Sequence, residues 1–179
     1  MESTPETDGG DRSSEAKCRG RGKAWLPLEN VGVVLSACQL PDASIDGTNM
    51  HVTTYEKKIF DQFVRKAPTL VELPDQSKVW RGRSPRSCHE QCRKIIKDCK
   101  SLHAHLLHVK RANPTGNRSE GDLIRVAVGL LNKNVTLSEM YDVIKNKAYN
   151  VGKQFIFMNC YKVLRDRFPA RLQPTSMET

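Results

Sequence analysis

The chain has 179 residues, of which 38% are hydrophobic, and a formal net charge of +9. This length is enough for one domain with a real core plus tails, and the mean hydropathy of -0.55 predicts a soluble protein with heavily solvated parts. No apolar run approaches the ~20 residues that a membrane-spanning helix needs. The amino-terminal residues lack the apolar segment of a secretory signal, so we expect the six cysteines to be free thiols or metal ligands rather than disulfides.

The positive charge is concentrated in one part of the chain. Residues 78–118 have a surplus of nine Lys and Arg over Asp and Glu, which equals the net charge of the whole chain. A local block of this kind favours a polyanionic partner. The competing interpretation is that the block is only a solvated helix face.

The first element in chain order is a tail at residues 1–23, which has little to bury and is predicted to be disordered. Its KCRGRGK sequence is similar to basic arms that enter the minor groove of DNA, or to a nuclear import signal. A first helix is then predicted in PLENVGVVLSACQL, with Pro27 in the first turn. Its expected buried face consists of Val31, Val34, Leu35 and Cys38.

A second helix is predicted in VTTYEKKIFDQFVRKA, between a loop that contains DGTN and a linker punctuated by Pro68, Pro74 and Gly82. Spacings of three and four place four of its apolar residues on one face: Val52, Tyr55, Ile59 and Phe63.

A long third helix is expected to begin after Ser84 as N-cap, with Pro85 in the first turn, and to run to about Arg111. Asn113 and Pro114 stop it.

Three further helices are predicted in SEGDLIRVAVGLLN, TLSEMYDVIKNKA and FMNCYKVLRDRF. Ser119 and Asp122 approximate a capping box at the first of them. The last should place Phe157, Cys160, Tyr161 and Leu164 together, and residues 169–179 are predicted to be a disordered tail. Because few segments alternate with period two, the expected fold class is all-α.

The third helix has two chemically different faces when it is drawn at ~100° per residue. An apolar face within about 80° contains Cys88, Cys92, Ile95, Cys99, Leu102 and Leu106. A cationic face within about 60° lies nearly opposite and contains Arg86, Arg93, Lys97 and Lys100, with Arg83 and Lys94 on its flanks. The pattern predicts a helix that packs by its thiols and offers its cations to a partner.

A zinc site and a catalytic cysteine are both disfavoured by this geometry. Cys88, Cys92, Cys99 and His103 would extend over roughly 22 Å of helix, whereas zinc–ligand bonds are ~2 Å long. Buried cysteine is more often a small hydrophobe. No third catalytic member, phosphate-binding loop or paired acidic motif accompanies the thiols, so we expect neither an enzyme nor a cofactor or metal.

The order of Trp25, the DGTN loop, TYEKKIFDQF and GRSPRSCHEQCRKI resembles a known family. It is similar to the Myb/SANT-like, trihelix-type DNA-binding domain, in the group that includes PIF/Harbinger Myb-like proteins and proteins with a no-apical-meristem-associated C-terminal domain. The later sequence GKQFIFMNCYKVLRD also resembles that group, and the likeness covers about residues 24–167. Two family aromatics are replaced here, by Glu56 and by Cys92.

The resemblance implies a three-helix, helix-turn-helix bundle at residues 24–112, followed by a helical extension at 113–168. It also implies sequence-specific binding of double-stranded DNA in the nucleus, by a transcription regulator or a transposon-derived protein. The third helix would enter the major groove. The DNA-binding residues expected are Arg83, Arg86, Arg93, Lys94, Lys97 and Lys100.

The main alternative is a protein-interaction adaptor, for example for a transposase or a chromatin protein. Past Lys100 the third helix offers an aliphatic surface for a partner helix or for self-association: Leu102, Leu106, Leu107 and Val109. RNA binding is a third alternative, disfavoured because only 6% of the residues are aromatic and these are needed in the core.

Overall fold

The computed structural model describes residues 24–40, 51–66, 82–113, 118–133 and 154–173. Within these ranges the chain is all-helical and contains no strand. The helices are α1 (Pro27–Cys38), α2 (Val52–Lys66), α3 (Pro85–Ala112), α4 (Glu120–Lys133) and α5 (Met158–Arg167), followed by a short 3-10 helix (Pro169–Leu172). None of these described helices is both long enough and apolar enough to span a membrane.

Several sequence predictions fall outside the described residues. They are the tail at residues 1–23, the loop containing DGTN, most of the linker before Gly82, the helix in TLSEMYDVIKNKA and the residues after 173.

The predicted helix starts are confirmed at the positions where a local signal exists. Pro27 and Pro85 occupy the first turns of α1 and α3. The Ser84 hydroxyl accepts a hydrogen bond from the Ser87 N–H at 3.1 Å, as an N-cap does. Ahead of α4, the Ser119 hydroxyl accepts from the Asp122 N–H at 3.2 Å and donates to the Asp122 carboxylate at 2.7 Å. The Ser84 hydroxyl thereby satisfies an N–H that the helix itself leaves unpaired.

The first three helices form a bundle in which each helix contacts the other two. From α2, Ile59 and Phe63 are buried, whereas Tyr55 is half-buried and Val52 is 59% exposed. The predicted apolar face of α2 is therefore confirmed in its second half, and its first turn lies at the edge of the bundle.

The buried face of α1 matches the predicted one in part. Val34 and Cys38 are buried as predicted, and the rest of the face differs. Val33 and Ala37 are buried, while Val31 and Leu35 are only half-buried. The reason is that α1 contacts α2, α3 and α5, so it is covered on several sides rather than on one stripe. Two buried polar side chains of α1 have hydrogen-bond partners. The Ser36 hydroxyl donates to the Gly32 backbone carbonyl at 2.8 Å, and Asn30 Oδ1 accepts from Gln91 Nε2 at 2.8 Å.

The later helices complete the same core. α4 packs on α3, and α5 packs on α1 and α3. Phe157, Cys160, Tyr161 and Leu164 are all buried, as the sequence predicts.

The segment that follows α5 differs from the expectation of a disordered tail from residue 169. Pro169–Leu172 form a 3-10 helix that contacts α3 and α5, and Leu172 is buried. The Arg171 guanidinium also donates to the Leu40 carbonyl at 3.3 Å. An apolar anchor and a hydrogen bond to the end of α1 together fix this segment on the bundle.

Candidate nucleic-acid interface

The apolar face predicted for α3 is confirmed residue by residue. The side chains that it buries are Cys88, Cys92, Ile95, Cys99, Leu102, Leu106 and Val109. They recur at spacings of three and four, so that one side of a 28-residue helix faces the core along its whole length. The opposite side of α3 consequently faces solvent.

That outward side carries the predicted cations. Arg86, Arg93, Lys94 and Lys97 are exposed, and Lys100 is half-buried. We call these five residues the basic stripe. From Arg86 to Lys100 the stripe extends about 21 Å along the helix axis. Within the described part of the chain, no ion pair or hydrogen bond involves the side chains of Arg93, Lys94 or Lys97. Their charges are therefore available to a ligand.

Arg86 is the member of the stripe that has an acidic neighbour. Its guanidinium contacts the Glu90 carboxylate at 2.8 Å, one helical turn away, and this hydrogen bond raises the pKa of Arg86. The two side chains are 79% and 61% exposed. Because exposed pairs of this kind are weak and screened by salt, Arg86 can exchange Glu90 for a phosphate.

Arg83, which the sequence assigns to the DNA-binding residues, has a different environment. Its guanidinium contacts the Glu29 carboxylate through two nitrogens, at 2.9 and 3.2 Å, and donates to the Ala24 carbonyl at 2.7 Å. It also stacks over the Trp25 ring, 4.1 Å from the ring centroid. The Arg83 and Glu29 side chains are 7% and 1% exposed. Arg83 therefore joins the start of α3 to the start of α1, and we remove it from the set of candidate DNA contacts.

The same contacts explain how α1 begins. Leu26 has no side-chain acceptor, and the Glu29 carboxylate instead accepts from the Leu26 N–H at 2.9 Å. Gly82, immediately before Arg83, has a φ of +90°, a conformation that favours glycine. We call Ala24, Trp25, Glu29 and Arg83 the clamp.

Glu56, the position at which the resembled family has an aromatic residue, lies beside the amino-terminal part of α3. The Glu56 carboxylate is 3.3 Å from His89 Nδ1, and the Tyr55 ring meets the His89 ring edge to face at 5.7 Å. Polar contacts thus occupy a place that an aromatic side chain could fill, and they connect α2 to α3.

One cation of this surface is not among the DNA-binding residues predicted from the sequence. Arg111 is exposed and lines the same open groove along α3 as Arg93, Lys94, Lys97 and Lys100. The signal was present, because Arg111 follows Arg93 by 18 residues, which is five full turns of an α-helix. Leu172 of the 3-10 helix also lines this groove, and no local sequence pattern connects it to α3.

The described cysteines are all buried and lie on three helices: Cys38, Cys88, Cys92, Cys99 and Cys160. Burial raises the pKa of Cys88 to about 11, and of Cys92 and Cys160 to about 12. It raises the pKa of Cys99 as well. No group of three or more His, Cys, Asp and Glu side chains among the described residues is arranged to bind a metal ion. These thiols fill the core as neutral groups.

His103, which the sequence analysis weighed as a metal ligand, packs against α5 instead. Its Nδ1 lies 3.1 Å from the Tyr161 hydroxyl. Burial, followed by the nearby charge of Lys110, lowers the pKa of His103.

We predict that the buried thiols do not react with a water-soluble disulfide reagent in the native protein. The reason is that the reactive species is the thiolate, which burial disfavours. The measurement is a thiol titration of the Cys18→Ser variant, with and without guanidinium chloride. We expect no rapid reaction in the native protein and five reactive thiols after unfolding. Rapid reaction of Cys92 or Cys99 in the native state would contradict this packing.

The aliphatic surface on which the adaptor alternative depends is largely covered. Leu102, Leu106 and Val109 are buried, and α3 packs against α4 of the same chain. Only Leu107 of the four predicted contact residues remains exposed, at 36%.

Comparison of the chain with known protein families, with curated proteins and with solved structures finds no match.

Proposed function

We propose that this chain binds double-stranded DNA sequence-specifically, with α3 as the recognition helix of a Myb/SANT-like helix-turn-helix domain at residues 24–112. Such a protein would act in the nucleus as a transcription regulator or a transposon-derived DNA-binding protein. The observation that supports the proposal is that α3 has an apolar face buried in the core and the basic stripe on its outward side.

The dimensions of α3 suit the major groove. An α-helix fits a groove that is about 12 Å wide, and the stripe of about 21 Å spans it from one phosphate backbone to the other. Within the described residues Arg93, Lys94 and Lys97 have no ion pair, so their charges can contact phosphates. The arginines can also donate two hydrogen bonds to the edge of a guanine. Bases supply the sequence preference, and phosphates supply most of the affinity.

The rest of the bundle supports this use of α3. α1 and α2 contact α3 from its buried side, and the clamp fixes the start of α3 relative to α1. Because α1 and α2 both pack against its buried side, the recognition helix has a defined orientation. Direct contacts to bases require such an orientation. The DNA contacts that we propose are Arg86, Arg93, Lys94, Lys97 and Lys100.

The adaptor alternative is less well supported for an aliphatic interface, because Leu102, Leu106 and Val109 already pack in the core.

The salt dependence of binding tests the proposal. If four cations of the stripe neutralise phosphates, the logarithm of the association constant falls with the logarithm of the salt concentration with a slope of about -3.6. Affinity for a labelled duplex should then drop about 150-fold between about 50 and about 200 mM salt. The measurement is fluorescence anisotropy with the full chain, after selection of a preferred site from random duplex DNA. A flat salt dependence contradicts DNA binding, and tighter binding to single-stranded RNA of the same sequence would favour the RNA alternative.

A further inference from the structure

The open groove beside α3 continues past the basic stripe. It lies between the outward side of α3 and the 3-10 helix, whose Leu172 forms part of its wall. Its far end is marked by Arg111, which lies about 27 Å from Arg93 along the helix axis. A straight helix that crosses a major groove about 12 Å wide does not keep both ends in contact with one groove. The DNA proposal therefore leaves the Arg111 end of the groove without a ligand.

The charge of the groove indicates an acidic ligand. Five of its lining side chains are cations, at positions 93, 94, 97, 100 and 111, and Glu90 is the one carboxylate among the described residues that line it. Such an imbalance attracts a chain rich in Asp and Glu.

The groove also has an apolar component that phosphates cannot use. Between Lys100 and Arg111 the outward side of α3 presents Ala104 and Leu107, both exposed. Ile96, which is half-buried, adds apolar surface to the same lining. An exposed leucine flanked by cations suits a ligand that has an apolar side chain as well as carboxylates. Among macromolecules, an acidic protein segment has both, and a nucleic-acid backbone has only the charge.

We propose that the groove between Lys97 and Arg111 binds an acidic amphipathic helix of a protein partner, with its apolar residues on Leu107 and its carboxylates on Lys97, Lys100 and Arg111. The distance from Lys97 to Arg111, about 21 Å, matches about four helical turns of such a partner. Lys97 and Lys100 also belong to the basic stripe. The partner therefore competes with DNA, and this second part of the proposal rests on the proposed function.

A synthetic peptide tests the docking directly. The probe is a fluorescein-labelled helical peptide of about 14 residues, with leucines spaced three and four apart and glutamates on the other faces. One control peptide has the same composition in scrambled order, and another has serine in place of leucine. With the full chain, we expect the amphipathic peptide to bind at least about tenfold more tightly than either control, because they keep the charge but lose the apolar face.

Variants of the protein locate the binding site. Leu107→Ser and Arg111→Gln should each weaken peptide binding at least about fivefold and change DNA affinity less than about twofold, because both lie outside the proposed DNA contacts. Ile156→Ser is the matched control, since Ile156 is a 74% exposed apolar residue that does not line the groove, and it should change neither affinity. Unlabelled peptide should displace labelled duplex from the chain.

Three outcomes overturn the inference in separable ways. If the serine peptide binds as tightly as the amphipathic peptide, the contact depends on charge alone, and the proposed binding of an apolar helix face is wrong. Unchanged peptide binding by both Leu107→Ser and Arg111→Gln would overturn the site. Simultaneous binding of peptide and duplex would overturn the competition. If the chain binds no duplex at all, the proposed function and the competition fail, while the peptide experiment still decides the docking.

Discussion

We expect Arg93→Glu combined with Lys97→Glu to lower the affinity for the preferred duplex by at least about 100-fold at about 100 mM salt, if the chain binds DNA as proposed. Both side chains are exposed and have no ion pair or hydrogen bond within the described residues, so their replacement removes ligand contacts and leaves packing intact. Two attractive charges also become repulsive ones in the centre of the stripe. The slope of log affinity against log salt should become shallower by about two, and anisotropy titrations at several salt concentrations measure both effects.

A control with the same change in charge separates local contact from net charge. Lys162→Glu with Arg167→Glu alters two exposed cations of α5 and shifts the net charge equally. It should reduce DNA affinity less than about fivefold, through the long-range field alone.

Glu90→Gln provides a change in the opposite direction. It removes the carboxylate that pairs with Arg86 and should strengthen DNA binding severalfold. If Arg93→Glu with Lys97→Glu binds as tightly as the unaltered chain, α3 is not the DNA-binding helix.

We expect Glu29→Ala to lower the free energy of unfolding by about 3 to 5 kcal/mol. The substitution leaves the Arg83 guanidinium, 7% exposed, without its carboxylate, and leaves the Leu26 N–H without its acceptor. Loss of one partner of a buried ion pair is costly because the remaining charge stays desolvated. Urea denaturation followed by circular dichroism measures the effect.

A double-mutant cycle checks that the effect comes from the clamp. Arg83→Met alone should also be strongly destabilising, and the double variant should be more stable than the sum of the two single effects predicts. Glu120→Ala is the matched control, since the Glu120 side chain is 58% exposed in its contact with Arg165, and it should cost less than about 1 kcal/mol. Additive losses for Glu29→Ala and Arg83→Met would mean that the two residues act independently.

Helix positions and the orientation of α3 could be predicted because their signals are local. Pro27, Ser84 and Ser119 each act on a neighbouring turn of chain, and the position of a helix start needs nothing more distant. The two faces of α3 follow from one period repeated over 28 residues. Contacts between the helices changed neither the helix starts nor the orientation of α3.

The environment of Arg83 could not be predicted in this way. Its partner Glu29 lies 54 positions earlier in the chain, and no sequence period connects the two residues. On a helical wheel Arg83 lies at the flank of the cationic face, and the sequence therefore predicts it to be a DNA contact. Local patterns give the direction of a side chain but not what it meets there.

The same limit applies to α1 and to the end of the described chain. α1 is covered by three helices, and a rule that expects one buried stripe therefore selects Val31 and Leu35 instead of Val33 and Ala37. The burial of Leu172 depends on a surface of α3 that forms only in the folded chain. Arg111 could have been predicted from the sequence, since it lies five helical turns after Arg93 on the same side of α3.

The distribution of sulfur in the core makes local opening measurable without any engineered label. Cys38 reports on α1, and Cys160 reports on α5. Cys88, Cys92 and Cys99 report on three points along α3. Pulses of an alkylating reagent, read by mass spectrometry of the peptides, would give the rate at which each helix detaches. Addition of duplex DNA should slow modification along α3 first if that helix is the one that the ligand stabilises.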